Sequence, residues 1–309
     1  MEKLEPLKKA FGDHYNQLEL VEADLLNKES MFKAIEGADF VVHTASPFTI
    51  AQPKDENELI KPAVDGTMAA VEAAFHNKVK RIVITSSVAA IMVNKDPKVT
   101  HFTPESWSDT TIPQCTPYNK SKTLAEKCAW DFQKAHANDD HKMEIVTINP
   151  GFVLGPNLNK CQFASGDVVK QIMSGDLPFP HMSMGCVDVR DVAQAHLQAI
   201  LVPEAVNQRF ILVGEVPWFL DLATALRAKW GKTYPKIAKK TIPYCVLCLV
   251  ALFDSEAAAI KPFWGLQQSF DTSKTTSVLG IKFRDVKQAT VDMSVTLIET
   301  GYIPDNRKK

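Results

Sequence analysis

The chain has 309 residues, which is enough for one large α/β core with a smaller lobe attached. Hydrophobic residues make up 45% of it and charged residues 23%, with a formal net charge of -1. This balance is typical of an ordinary globular protein and argues against a basic nucleic-acid surface or a polybasic membrane patch. We therefore expect neither nucleic acid nor a membrane among its partners.

The cysteine pattern favours reduced thiols over a disulfide framework. The six cysteines are scattered through a long chain without a recognisable secretory signal, so we expect a cytoplasmic protein. Cys245 and Cys248 have the spacing of half a zinc site, but no second Cys or His pair lies near them. We predict no metal site and two buried core thiols. The apolar run 242–253 around them is too short to span a bilayer and predicts a buried or lobe-packing helix.

In the first part of the chain, strand patterns alternate with helix patterns. The strands are predicted at 18–25, 38–45 and 80–87, and the helices at 1–11, 28–36 and 58–76. Gly66, inside the third helix, is expected at a point of close packing. This alternation is the βαβ rhythm of a parallel sheet, so we predict an α/β fold with a doubly wound, Rossmann-like sheet.

The second part of the chain continues the fold and adds a lobe. Residues 88–115 show no sustained period and predict a long ordered loop, after which Thr116 and Pro117 are typical of a helix start. Further strands are predicted at 144–151 and 209–214, and helices at 118–137, 165–173, 187–201, 219–230, 244–260 and 285–300. We expect one unit over 1–309, with a smaller substrate lobe built mainly from 157–186 and 215–309.

Three side chains suited to hydride-transfer chemistry lie in or beside the stretch 81–122. Tyr118 and Lys122 are four residues apart on a predicted helix, so both project from one face. A buried ammonium there should favour the phenolate and lower the tyrosine pKa from about 10 towards neutrality. Ser87 follows a buried strand, where open α/β sheets place ligands, and can donate a hydrogen bond to a carbonyl oxygen. Taken alone, the Tyr-x-x-x-Lys spacing also fits a surface tyrosine beside a solvated lysine.

The three motifs together are more specific than any one of them. Thr-Ser-Ser at 85–87, Tyr-x-x-x-Lys at 118–122 and NPGFVLGP at 149–156 resemble the extended short-chain dehydrogenase/reductase superfamily. The most similar branch is the dihydroflavonol-reductase-like group, which also holds cinnamoyl-CoA and anthocyanidin reductases. The resemblance implies an NAD(P)H-dependent reductase of a ketone or aldehyde, with NADPH favoured over NAD. It also implies a small-molecule carbonyl substrate and a monomer or homodimer.

The resemblance extends to individual residues. Ser87, Tyr118 and Lys122 match the catalytic serine, tyrosine and lysine of the family, and Tyr118 and Lys122 also belong to the cofactor site. The other matches are with residues that bind the cofactor: Asp24 and Leu25 at the adenine, His43, Thr44 and Ala45 at the ribose and diphosphate, Thr85 and Ser86 beside the nicotinamide half, Pro150, Gly151, Phe152 and Val153 packed on the nicotinamide, and Ser165 at the diphosphate.

The glycine-rich turn that opens such a domain does not occur in this sequence. Only Gly12, Gly37 and Gly66 lie among the first 66 residues, and they form neither G-x-x-G-x-x-G nor G-x-G-x-x-G. Relative to the family, Met1 corresponds to a position in the second helix, so we expect an N-terminally truncated sheet. The strand at 18–25 would then either pair directly with the strand at 38–45 or hang loose.

Two other functions stay open: a sugar-nucleotide epimerase or dehydratase on the same fold, and a catalytically impaired binding protein. Against the first, the run 149–156 lacks the arginine such enzymes usually place there, and the second rests on the missing glycine motif. Single residues have structural alternatives as well. These are His43 as a core histidine, Asp24 as a helix cap, Asp188, Arg190 and Asp191 as a solvated helix start, and His181, Met182 and Met184 as flexible core packing instead of a substrate pocket.

Overall fold

The computed structural model describes residues 4–46, 55–158, 163–175 and 179–308. Its helices are α1 (Glu5–Phe11), α2 (Lys28–Ile35), α3 (Asn57–His76), α4 (Pro117–Ala135), α5 (Ala164–Ser174), α6 (Val189–Leu201), α7 (Phe219–Trp230), α8 (Tyr244–Val250), α9 (Ser255–Ile260), α10 (Ser273–Val278) and α11 (Val286–Glu299). Its strands are β1 (Phe40–His43), β2 (Arg81–Thr85), β3 (His101–Phe102), β4 (Glu144–Pro150), β5 (Phe152–Leu154), β6 (Cys186–Asp188), β7 (Arg209–Leu212) and β8 (Ser269–Phe270).

Four parallel strands form the central sheet, in the order β1-β2-β4-β7. Alternate side chains of its buried strands enter two cores, as a strand period of two requires. Ile82 and Ile84 pack with α2, α3 and α4 on one face, whereas Val83 packs with Val146 and α6 on the other. The predicted doubly wound α/β fold is therefore confirmed.

The segment 18–25 is not a strand, which corrects one expectation. Although its sequence alternates like a strand, two of its apolar side chains are about half exposed, Leu20 at 52% and Val21 at 55%. β1 pairs with β2 on one side and with no other strand of the described residues on the other. A lone strand has no partner for its backbone groups, so the pattern alone cannot make one. Of the two outcomes predicted for this segment, the loose one is observed.

The exposed edge of β1 is apolar as well as unpaired. Phe40 is 43% exposed and Val42 42% exposed, while His43 at the end of the strand is buried. α3 approaches the turn before α2 closely at Gly66, where a Cβ atom would lie 3.3 Å from the Cβ of Leu25. The close packing predicted for Gly66 is thus confirmed.

The lobe has its own apolar core, in which α5, α7 and α11 pack against the short sheet of β5 and β6. Three boundaries differ from the predictions. The loop 88–115 contributes β3, which pairs with β8; the first residues of the helix predicted at 187–201 belong to β6; and the helix predicted at 244–260 divides into α8 and α9.

The prediction of two buried thiols in the lobe is wrong. Cys245 is exposed and Cys248 half-buried, because α8 packs on the lobe mainly through Leu247. Farther along, Phe253 is 88% exposed. Cys161 lies outside the described residues. In the described part of the chain no helix combines the length and apolar character needed to cross a bilayer, and no cluster of three or more metal-ligating side chains forms.

Candidate active site

The carboxyl ends of β1, β2 and β4 meet at one edge of the central sheet, and the start of α4 lies beside them. α4 begins as predicted, because the Oγ1 of Thr116 accepts a hydrogen bond from the backbone N–H of Asn119 at 3.2 Å. The side chain of Asn119 in turn donates to the carbonyl of Ala89 at 3.2 Å, just beyond Ser87. These contacts hold the first turn of α4, with Tyr118, against the segment that carries Ser87.

Ser87 and Tyr118 share a hydrogen bond between their side chains. The Ser87 Oγ also accepts from the backbone N–H of Ala89 at 3.1 Å, which fixes its direction. Burial raises the pKa of Tyr118 above its usual value of 10, and the hydrogen bond with Ser87 offsets part of that rise. The phenol is therefore protonated at neutral pH. This direction is opposite to the lowered pKa expected from the neighbouring lysine.

Lys122 lies one helical turn further along, with its Nζ 5.8 Å from the centre of the Tyr118 ring. Burial lowers its pKa from 10.5 to about 8. Within the described residues its ammonium makes no hydrogen bond or ion pair. His43, at the end of β1, is also buried, and burial together with the Lys122 charge lowers its pKa to about 4. His43 is thus neutral at pH 7, and it lies near the ammonium of Lys122, which no acidic side chain of the described residues pairs with.

The loop after β4 packs against the end of β7 and the residue before β6. The N–H of Gly151 donates to the Leu212 carbonyl at 2.9 Å, and that of Phe152 to the Gly185 carbonyl at 2.6 Å. A Cβ atom on Gly151 would lie 2.2 Å from the Gly185 oxygen, so only glycine fits there. Of the other residues predicted at the cofactor, Pro150 is buried at the end of β4, Val153 lies in β5, Ser165 lies in the first turn of α5, and Thr44 and Ala45 are exposed just beyond β1.

Thr85 and Ser86 direct their hydroxyl groups into the protein. The Oγ1 of Thr85 lies 2.6 Å from the Nε2 of His196. The Oγ of Ser86 donates to the carboxylate of Glu126 at 2.5 Å. Any contact of these two residues with a cofactor would therefore use their backbone and not their hydroxyl groups.

The two residues predicted at the adenine have structural contacts of their own. Asp24 is exposed, and its carboxylate accepts from the N–H of Leu26 at 2.9 Å in the turn before α2. The cap of α2 itself is Asn27. Leu25 packs against Gly66, as described above. Their role at an adenine ring stays a prediction.

Several buried polar residues near the site were not predicted. Glu126, Asn149 and Arg209 form a hydrogen-bonded cluster behind Tyr118 and Lys122. Glu126 is one turn after Lys122 on α4, and this spacing of four residues is the one sequence signal that could have identified it. Asp188 and Asp191 were expected in solvent, but both are fully buried because Arg190 and Arg284 pair with them.

The residues at this edge fit the nicotinamide half of a dinucleotide better than its diphosphate. Lys122 offers a buried cation that lacks an acceptor in the described part of the chain, and ribose hydroxyls are suitable acceptors. Ser87 and Tyr118 offer two polar hydrogens beside it. For the diphosphate, the sequence carries no glycine-rich turn.

The parallel sheet and this edge are typical of dinucleotide-dependent α/β enzymes. Comparison of the chain with known protein families specifies which one it belongs to. The 3-beta hydroxysteroid dehydrogenase/isomerase family matches residues 3–218, and the chain belongs to this family. The predicted resemblance to extended short-chain dehydrogenases/reductases is confirmed.

Two relatives and one solved structure illustrate the likeness. Cinnamoyl-CoA reductase 2 of Arabidopsis thaliana is 32% identical over 292 residues, which cover 93% of this chain and 79% of that protein. The NADPH-dependent methylglyoxal reductase GRE2 of Saccharomyces cerevisiae is 30% identical over 319 residues, 96% of this chain and 89% of that protein. The crystal structure of yeast methylglyoxal/isovaleraldehyde reductase Gre2 with NADPH superposes with a TM-score of 0.77 at 28% identity, covering 98% of this chain and 90% of that one.

Proposed function

We propose that the protein is an NADPH-dependent reductase that converts a ketone or aldehyde to an alcohol. The observation that carries the proposal is the contact of Ser87, Tyr118 and Lys122 at the carboxyl edge of a parallel sheet. The comparisons support the cofactor, since the yeast reductase GRE2 is named as NADPH-dependent and its crystal structure is a complex with NADPH. They also support the reaction, since both relatives are named as reductases.

When bound, NADPH supplies the hydride that reduces the carbonyl carbon. Tyr118 donates its phenolic proton to the carbonyl oxygen, and its raised pKa keeps that proton in place at neutral pH until the oxygen becomes basic. Ser87 hydrogen-bonds to the same oxygen and orients it. Lys122, with a pKa of about 8, is mostly protonated at pH 7, so it can bind the ribose hydroxyls and stabilise the phenolate left behind. Tyr118 then regains a proton from solvent.

We also propose that the lobe binds the substrate. A cavity of about 500 Å³ lies in it, with Met182, Met184, Phe219 and Leu247 in its lining. Met184 directly precedes Gly185, whose carbonyl binds the N–H of Phe152 in the loop after β4. The predicted lobe residues thus line an apolar cavity next to the loop expected at the nicotinamide, whereas His181 stacks on Trp218 instead.

Replacing the proposed proton donor tests the reaction. Tyr118→Phe should lower kcat for NADPH-dependent carbonyl reduction by about 10² to 10⁴, the usual contribution of a positioned acid. NADPH binding, followed by quenching of tryptophan fluorescence, should change little, because Lys122 is retained. Turnover of the Phe variant close to that of the native chain would reject the proposal, and so would a native chain that neither binds NADPH nor oxidises it with any of a panel of aldehydes and ketones.

A further inference from the structure

Glu126 is a fully buried carboxylate that accepts hydrogen bonds from five different side chains. Its Oε1 accepts from the Nε of Arg209 at 2.6 Å, the Oγ1 of Thr147 at 3.0 Å and the Nε1 of Trp130 at 3.3 Å. Its Oε2 accepts from the Oγ of Ser86 at 2.5 Å and the Nδ2 of Asn149 at 2.7 Å. One side chain of α4 is therefore bound to residues of β4 and β7 and to the residue that follows β2.

The cluster reaches the backbone of the proposed catalytic serine. The Nδ2 of Asn149, which donates to Glu126, also donates to the carbonyl of Ser87 at 3.2 Å. Ser86, the other donor to Oε2, is the residue before Ser87 in the chain. Glu126 thus holds Ser87 through two neighbouring contacts, and it lies on the same helix as Tyr118 and Lys122.

Arg209 extends the cluster to the segment after Ser87. Its Nη1 donates to the carbonyls of Pro104 and Ser106 at 2.5 and 2.7 Å, and its guanidinium lies 3.7 Å from the centre of the Trp107 ring. The ion pair is almost completely removed from solvent, with the Arg209 side chain 10% exposed. Such a pair is costly to break but constrains its partners in position.

We propose that Glu126 is a positioning residue for the reductase reaction. It fixes the separation between Tyr118, on its own helix α4, and Ser87, because its carboxylate ties that helix to Ser86 and, through Asn149, to the backbone of Ser87. Its contacts lie on the protein side of the site, so it touches neither substrate nor cofactor. The proposal rests on the function proposed above, and its consequence is geometric: without the carboxylate, Ser87 and Tyr118 lose their common alignment on the carbonyl oxygen.

Glu126→Gln tests this, because glutamine keeps the shape but loses the charge and turns one acceptor into a donor facing Ser86, Asn149 or Arg209. We expect kcat to fall roughly 10- to 100-fold, the effect of a misplacement near 1 Å, with KM for NADPH changed less than about threefold. Asn149→Ala leaves the ion pair of Glu126 and Arg209 intact and removes the amide that links Glu126 to the carbonyl of Ser87. It should therefore lower kcat in the same direction even if the Gln variant folds poorly. In a double-mutant cycle the two effects should be less than additive.

The chain offers a matched control in the pair of Arg81 and Glu144. This pair also joins β2 and β4, at 2.6 Å, but at the opposite end of the strands, and its arginine is likewise buried. Glu144→Gln should therefore reduce stability and leave kcat within about twofold of the native value. A kcat for Glu126→Gln no lower than that of Glu144→Gln, measured below both melting temperatures, would overturn the positioning role.

Amide hydrogen exchange supplies a readout that needs no turnover. Glu126→Gln should speed exchange in peptides covering 86–92 and 117–124, whereas Glu144→Gln should leave them unchanged. Unchanged exchange there in Glu126→Gln would reject the inference whether or not the native chain is active. A native chain without reductase activity would instead reject the proposed function, so the two failures can be told apart.

Discussion

The buried charge of Lys122 leads to a prediction about stability. Burial lowers its pKa from 10.5 to about 8, and the described residues provide its ammonium with no acceptor. This gap corresponds to about 3 kcal/mol, since a tenfold change in proton affinity is about 1.4 kcal/mol. Lys122→Met keeps most of the side-chain volume and removes the charge. The variant should be up to about 3 kcal/mol more stable than the native chain at pH 7, while losing reductase activity.

The dependence on pH follows from the direction of the pKa change. Because the folded pKa lies below the unfolded one, the unfolded chain binds the proton more tightly, and the destabilisation is complete below about pH 8. It shrinks as the pH rises from about 8 towards 10.5. The advantage of Lys122→Met should thus fall from about 3 kcal/mol at pH 7 to about 2 kcal/mol at pH 9.

Urea unfolding followed by circular dichroism at the two pH values measures both quantities. Lys134→Met is the matched control, because Lys134 is an exposed lysine on the same helix, and it should change stability by less than about 0.5 kcal/mol. A Lys122→Met variant no more stable than the native chain at pH 7, or with the same advantage at pH 9, would refute the reasoning.

Two further predictions concern the lobe and the sheet edge. Leu247→Trp should narrow the lobe cavity and raise KM for bulky apolar carbonyl substrates several-fold, while KM for NADPH stays unchanged. Leu247→Met is the conservative control. The same change in KM for small and for bulky substrates would count against the lobe as the substrate site. Val42→Lys, on the exposed edge of β1, should reduce self-association measured by light scattering and leave the melting temperature nearly unchanged. Unaltered light scattering would show that this edge does not mediate self-association.

The fold was predictable because most elements are specified locally. Thr116 and Pro117 begin α4 by their own chemistry, and the short runs of β2 and β4, rich in Ile and Val, favour buried strands. The segment 18–25 shows the limit. It has the alternation of a strand, but strand formation depends on a neighbour, and a neighbour is a property of the whole sheet.

The site was predictable in its residues and less so in its electrostatics. The spacing of Tyr118 and Lys122 placed them together, yet the direction of the tyrosine pKa depended on how deeply the phenol is buried, which spacing does not contain. Glu126 was missed for the same reason. A glutamate on a helix usually indicates a solvated face. Its burial here depends on the ion pair with Arg209 of β7, which is distant in the sequence.

Three ionisable groups of α4 at or behind the site therefore differ in how far their surroundings balance them. Glu126, behind the site, accepts five hydrogen bonds, whereas Lys122, at the site, lacks an acceptor among the described residues. Tyr118 is the intermediate case, with its hydrogen bond to Ser87. A ligand that brings acceptor oxygens to Lys122 relieves a destabilisation already present in the free protein, so part of its binding energy appears as added stability. By the same argument, NADPH should raise the melting temperature of the native chain more than that of Lys122→Met, although the variant starts from the higher value.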